Sequence, residues 1–186
     1  AWAERRSERN APDGYYIGAV VKLDANDLPG AEPLVAKVEE QWKKSSVNPN
    51  LYRYSEVRGR YLVQSGNADE GLKMLREAAA KAVKDYDAHA WGGGSYLLEA
   101  WGEAALWAHR WDEAEEAFLE ALAHEHGSIV GALGMQVVSE RRGQTEQAAR
   151  YAERARAIWK DADPGALERQ LARLRKMATA VVAKAG

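Results

Sequence analysis

The sequence predicts an all-α chain, a solenoid of stacked helical hairpins. Three observations carry this. Two segments superimpose at a spacing of 34 residues: one anchored on Ala114 in Trp111-Asp112-Glu113-Ala114, the other on Ala148 in Gly143-Gln144-Thr145-Glu146-Gln147-Ala148. A fixed period of that length marks stacked helical repeats. The second half is dominated by the helix formers Ala, Leu, Glu, Arg and Gln, and no stretch alternates apolar and polar residues as a half-buried strand would. Finally, Gly102 and Ala114 are twelve positions apart, as are Gly59 and Gly71. Only such small residues let two helix backbones of a hairpin approach closely, with larger residues one turn away filling the remaining gap.

Apolar periodicity places helices at 13–24, 31–44, 50–65, 68–84, 94–108, 111–125, 128–142, 145–160 and 164–184. The joints carry turn chemistry: Pro29-Gly30, Asn48-Pro49-Asn50, Gly66-Asn67, Gly127-Ser128, Gly143 and Asp163-Pro164-Gly165. Short joints make consecutive helices antiparallel neighbours. The best unit has Leu98, Trp101, Gly102 and Ala105 on one helix, then Ala114, Phe118 and Ala121 on the next. An earlier unit follows Gly59 and Gly71 with Leu75 and Ala78, and a weaker one has Tyr15, Ala19 and Ala31 before Val35 and Val38. The last segment differs. Asp163 and Pro164 suit a helix start, and Leu167, Leu171, Leu174, Ala178 and Val181 form one apolar stripe, with Arg169, Arg173, Arg175 and Lys176 off it. Such a helix is suited to closing the open end of a solenoid.

On these residues the chain resembles the tetratricopeptide repeat family, whose pattern is a small residue on the first helix, then Ala, an aromatic and Ala on the second. The unit 95–128 matches at Leu98, Gly102, Ala114, Phe118 and Ala121, but has Ala105 for the usual tyrosine and His126 for the closing proline. The unit 129–162 keeps Ala148 and Ala155, with Gln136 at the small position and Ala152 at the aromatic one. Units at about 52–85 and 12–45 are looser, the former with Gly71 in place of Ala. The resemblance implies one domain over 1–186: a right-handed superhelix of about four hairpins with a capping helix at 164–184. The anchors Ala31, Gly71 and Ala114 are spaced by 40 and 43 residues rather than 34, so insertions fall around 45–50 and 84–94.

Composition limits the function. Lys and Arg number 26 against 28 Asp and Glu, so the chain lacks the net basic character of a general nucleic-acid binder. There is no cysteine, which excludes disulfides, thiol catalysis and cysteine-ligated metals. No apolar run approaches the roughly 20 residues needed to span a bilayer. The charged start, Ala1 to Asn10, lacks the apolar core of a signal peptide; it reads as the cut end of a longer chain, the tail of a preceding helix, or alternatively as a mature protein after processing. The Ala- and Arg-rich helices suggest a bacterial source.

The resemblance also implies a site. Family members line a concave groove with the first helix of each pair. Carried over, those positions are Arg53, Glu56, Arg60 and Gln64, then Tyr96, Glu99, Glu103 and Trp107, then Leu133, Val137, Glu140 and Arg141. This implies a non-enzymatic module that binds a protein or peptide, with Trp107 as an apolar anchor. Alternatives are a peptide-sensing segment that controls an attached effector domain and, least favoured, a hydrolase using Glu56, Glu99 and Glu103. Trp107 and Tyr96 have a structural alternative, packing against the insertion Tyr86–Gly94. The Lys and Asn that clamp a carboxylate terminus in some family members are missing from the aligned positions.

Other constellations read as ordinary surface. His124 and His126 are two apart and point to different helix faces, whereas helical metal pairs sit four apart. Glu113, Glu115, Glu116 and Glu120 favour a helix N-terminus. Trp91-Gly92-Gly93-Gly94 lacks the Lys-Ser or Lys-Thr of a phosphate loop. Arg141, Arg142, Arg150, Arg154 and Arg156 make a local basic patch, read as a solvated surface balanced by nearby Glu, with nucleic-acid docking as the less favoured alternative. No cofactor and no metal are expected.

Overall fold

The structure is a computed structural model that describes residues 14–45, 48–85 and 93–180. Among the described residues there are nine helices and no strand. Helix α1 covers 14–24. It is followed by α2 (Leu28–Ser45), α3 (Asn48–Gln64), α4 (Ala68–Lys84), α5 (Gly93–Trp107), α6 (Trp111–His124), α7 (Ile129–Arg141), α8 (Thr145–Ile158) and α9 (Ala166–Met177). From α2 to α8 consecutive helices pack against each other, α3 also packs on α5, and α5 on α7. This arrangement is compatible with a helical repeat.

One turn recurs four times. After α1, α3, α5 and α7 the chain places a residue in the left-handed region: Asn26 (φ 56°), Gly66 (φ 98°), His109 (φ 57°) and Gly143 (φ 71°). Each turn is closed by the same pair of bonds. For His109 they are His109 N–H to Leu106 C=O and Arg110 N–H to Ala105 C=O; for Gly143, Gly143 N–H to Glu140 C=O and Gln144 N–H to Ser139 C=O. These bonds satisfy the last carbonyls of the first helix and reverse the chain. The small anchors Ala31, Gly71, Ala114 and Ala148 all follow five residues later.

The first joint differs from the sequence expectation. Pro29-Gly30 does not make the turn; both lie in the first turn of α2, where a proline forfeits no helical hydrogen bond. Asn26 makes the turn, and Asp27 Oδ1 accepts the Gly30 N–H at 3.0 Å, which caps the helix.

The small positions are helix crossings. A Cβ on Gly71 would lie 2.5 Å from the Gly59 carbonyl oxygen, so these two backbones touch. The fully buried Phe118 ring sits between two glycines: a Cβ on Gly102 or on Gly134 would come within 2.5 Å of it. Gly134, on α7, makes its close approach to α6; at the crossing of α7 with α8 the small position of the repeat pattern remains Gln136. With Ala152 in the aromatic position, an open cleft lined by Gln136, Glu140, Ala148, Ala149 and Ala152 remains between α7 and α8.

Helix α9 departs most from expectation. The apolar stripe is there: Leu174, Met177 and Ala178 are buried, with Leu167 and Leu171 packed against the core; Val181 lies outside the described residues. Its packing is with α7 and α5, so it lies across the layer of first helices. The end of the stack is not its principal seat.

Candidate functional site

The expected groove residues fall on successive turns of α3 and α5, because steps of three and four residues keep a side chain on one helix face. Arg53, Glu56, Arg60 and Gln64 occupy α3; Tyr96, Glu99, Glu103 and Trp107 occupy α5. The structure brings most of these together, but not on an open surface. Glu56, Arg60 and Gln64 are each 6% exposed, Glu103 and Trp107 each 8%. Trp107, expected as an exposed anchor, lies in a cavity of about 10 Å³ with Arg60, Gln64, Glu103 and, from α9, Met177. Met177, from the stripe of α9, lines this cavity with the C-terminal turns of α3 and α5, so the chain's own helix sits where a partner was expected.

Buried charge is tolerated only when paired, and each group here has partners. Arg60 donates to the Asp24 carboxylate at the end of α1 and lies 3.7 Å from Glu56 Oε1. Tyr16 donates its hydroxyl to Glu56 Oε2 at 2.5 Å. Gln64 donates to the Leu23 carbonyl at 3.2 Å. Arg173, on α9, donates from both terminal nitrogens to the two oxygens of Glu103, one at 3.1 Å, and lies 3.8 Å from Asp24. Asp24, Arg60, Glu103 and Arg173 thus form one cluster of alternating charge across α1, α3, α5 and α9.

The electrostatics follow. Burial pushes the Glu56 carboxyl above the ordinary carboxylate range, against the attraction of Arg60 and the hydrogen bond from Tyr16. Burial opposes the charge on Arg60, but Glu103, Asp24 and Glu56 together outweigh it, so the guanidinium is held more firmly charged. Burial, then Glu56, raises the phenols of Tyr16 and Tyr96. Glu99 is raised by burial, with the Ser128 hydroxyl, which donates to Oε1 at 2.6 Å, opposing the shift.

The face is most accessible at its α1–α3–α5 end. There Arg53, Tyr96 and Glu99 are half-buried, and the Arg53 guanidinium lies over the Tyr16 ring at 5.4 Å. The α7 residues are placed elsewhere. Leu133 and Val137 belong to the same buried apolar cluster as Leu174 and Met177, so they are core. Arg141 lies over the Trp111 ring of α6 at 6.0 Å, away from the cluster. Glu140 accepts two bonds from Arg175, at 2.9 and 2.6 Å, which chiefly hold its carboxyl below the usual range. The suggested packing of Trp107 and Tyr96 on the insertion involves residues 86–92, which lie outside the described residues.

Four participants were missed from sequence: Tyr16, Asp24, Arg173 and Arg175. A faint signal existed for Arg173, which borders Leu174 at the edge of the apolar stripe. Nothing local links it to a carboxylate 70 residues away. Elsewhere, His124 Nε2 lies 3.2 Å from Glu120 Oε1, its neighbour one turn back, and His126 is exposed. Among the described residues no group of three metal-ligating side chains converges, and no helix is long and apolar enough to cross a membrane. No family model matches the chain, and no curated protein or solved structure shows significant similarity to it.

Proposed function

We propose that the chain is a tetratricopeptide-like module, a right-handed solenoid of four hairpins, which binds a protein or peptide through the face formed by α1, α3 and α5. The observation that carries this reading is the polar cluster on that face, already engaged with a helix, α9, through Arg173 and Met177. A surface that seats one amphipathic helix has the chemistry to recognise another. The four equivalent turns at Asn26, Gly66, His109 and Gly143 support the repeat count. Binding is favoured over catalysis because Glu56 and Glu103 are held by Tyr16 and by arginines, an arrangement suited to fixing structure. Within a longer chain, such a module would serve as a scaffold or as the sensing segment of a regulator.

The accessible end tests the reading. Peptides selected against the full chain from a displayed library should lose binding at least about tenfold on Arg53→Glu with Tyr96→Ala. They should keep it on Glu116→Ala with Glu120→Ala, on α6. Selected peptides indifferent to the first pair, with helix content intact, would move the functional surface elsewhere.

A further inference from the structure

We infer that α9 is a resident occupant of a helix-binding site, and that the site's external ligand is a basic amphipathic helix that takes its place. The inference rests on the binding face proposed above and specifies its partner.

Helix α9 is joined to the rest of the chain by an exposed connection. Residues 160–165 are all exposed, and Gly165 has a φ of +77°, a left-handed conformation that suits glycine. Its fully buried residues are Leu174, Met177 and Ala178, with Leu167 and Leu171 half-buried against the core. Two large apolar side chains, Leu174 and Met177, therefore carry most of the burial that holds this helix.

The ground beneath it is polar. Met177 faces a cavity lined by Arg60, Gln64, Glu103 and Trp107. Among the described residues, Gln64 Oε1 and Trp107 Nε1 have no hydrogen-bond partner. An unpaired buried acceptor and donor each carry a penalty, so α9 is an imperfect match for the surface it covers. A helix that offered Gln64 a donor and Trp107 an acceptor would fit better.

The charge pattern states what such a helix must carry. Removal of Arg173 would leave Asp24, Glu56 and Glu103 facing the single guanidinium of Arg60. Glu140 would likewise lose Arg175. The vacated face favours arginine, placed beside an apolar residue and followed one turn later by another. Residues 173, 174 and 177 of α9 have this pattern. An acidic helix would meet repulsion at the same positions.

The probe is a fluorescent synthetic peptide of residues 163–180, titrated into the full chain. Wild type should bind it weakly, because α9 competes at high effective concentration. The full-length variant Leu174→Asp with Met177→Asp, which loosens α9, should bind at least about tenfold more tightly. Adding Glu103→Arg should abolish that gain, and raising salt should reduce it. Equal binding to wild type and variant, or no binding to a variant of native helix content, overturns the inference. Hydrogen exchange on the wild type needs no variant: α9 amides should open more readily than those of α5 and α7. Exchange of all three in one cooperative step would make α9 an integral part of the fold and end the proposal. If the probe fails while peptides dependent on Arg53 and Tyr96 still bind, the binding face stands and only the displaced helix falls.

Discussion

Arg173 of α9 grips both oxygens of Glu103 on α5, across 70 residues of sequence, and its partner carboxylate is nearly inaccessible. The pair ties the last helix to the middle of the chain, and Asp24 extends the tie to α1. A bidentate arginine–carboxylate contact is geometrically demanding and stronger than a single charged hydrogen bond. Because Arg173 remains about a third exposed, solvent screening discounts it.

A double-mutant cycle measures that pair. Arg173→Ala and Glu103→Ala should show a coupling energy of about 1 kcal/mol by urea denaturation, falling as salt is added. Strictly additive effects would mean that the contact does not hold α9.

Phe118 between Gly102 and Gly134 is a packing joint with no slack. Gly102→Leu or Gly134→Leu must displace the ring or the helices, at a cost of about 1–3 kcal/mol. The exposed change Glu116→Ala should cost less than about 0.5 kcal/mol. Equal thermal midpoints for the three variants would contradict this packing.

Gly143 isolates backbone strain from crowding. Its φ is +71°, and a Cβ there would meet nothing within 4 Å. Gly143→Ala should therefore destabilise by about 1 kcal/mol through the left-handed conformation alone. Gly14→Ala, equally uncrowded among the described residues and helical, should stay within about 0.5 kcal/mol of wild type. Chemical denaturation distinguishes them, and a neutral Gly143→Ala would remove the turn's significance.

Glu56 makes stability depend on pH with a definite sign. Its folded pKa is raised, chiefly by burial, so the folded chain holds the proton more tightly than the unfolded chain. Stability from this group is present below the ordinary carboxyl pKa of about 4 and is lost as pH rises through the folded value. Glu56→Gln keeps an acceptor for Tyr16 and removes the titration. Wild type should lose stability relative to Glu56→Gln as pH rises above about 4. A difference independent of pH over that range would show that Glu56 titrates normally.

Much of the fold was legible because its cause is local. Helix periodicity and helix-forming residues located nearly every helix to within a few residues. The spacing of Gly59 to Gly71 and Gly102 to Ala114 marked the close crossings, since only a missing side chain lets backbones touch. Two turns were less legible. Asn26 and His109 adopt left-handed conformations that glycine would have advertised, and Pro29-Gly30 imitated a turn while starting a helix.

The candidate site was half legible for the same reason. Steps of three and four residues put Arg53, Glu56, Arg60 and Gln64 on one face of α3, and Tyr96, Glu99, Glu103 and Trp107 on one face of α5, whatever surrounds them. Periodicity states that a face is shared. It does not state what the face meets. That Met177 covers Trp107, that Arg173 answers Glu103 and Asp24, and that Arg141 turns to Trp111 depend on where α9 and α6 lie in space. Those contacts join segments far apart in the chain. They are decided by shape and charge complementarity between assembled helices, which exists only once the chain has folded.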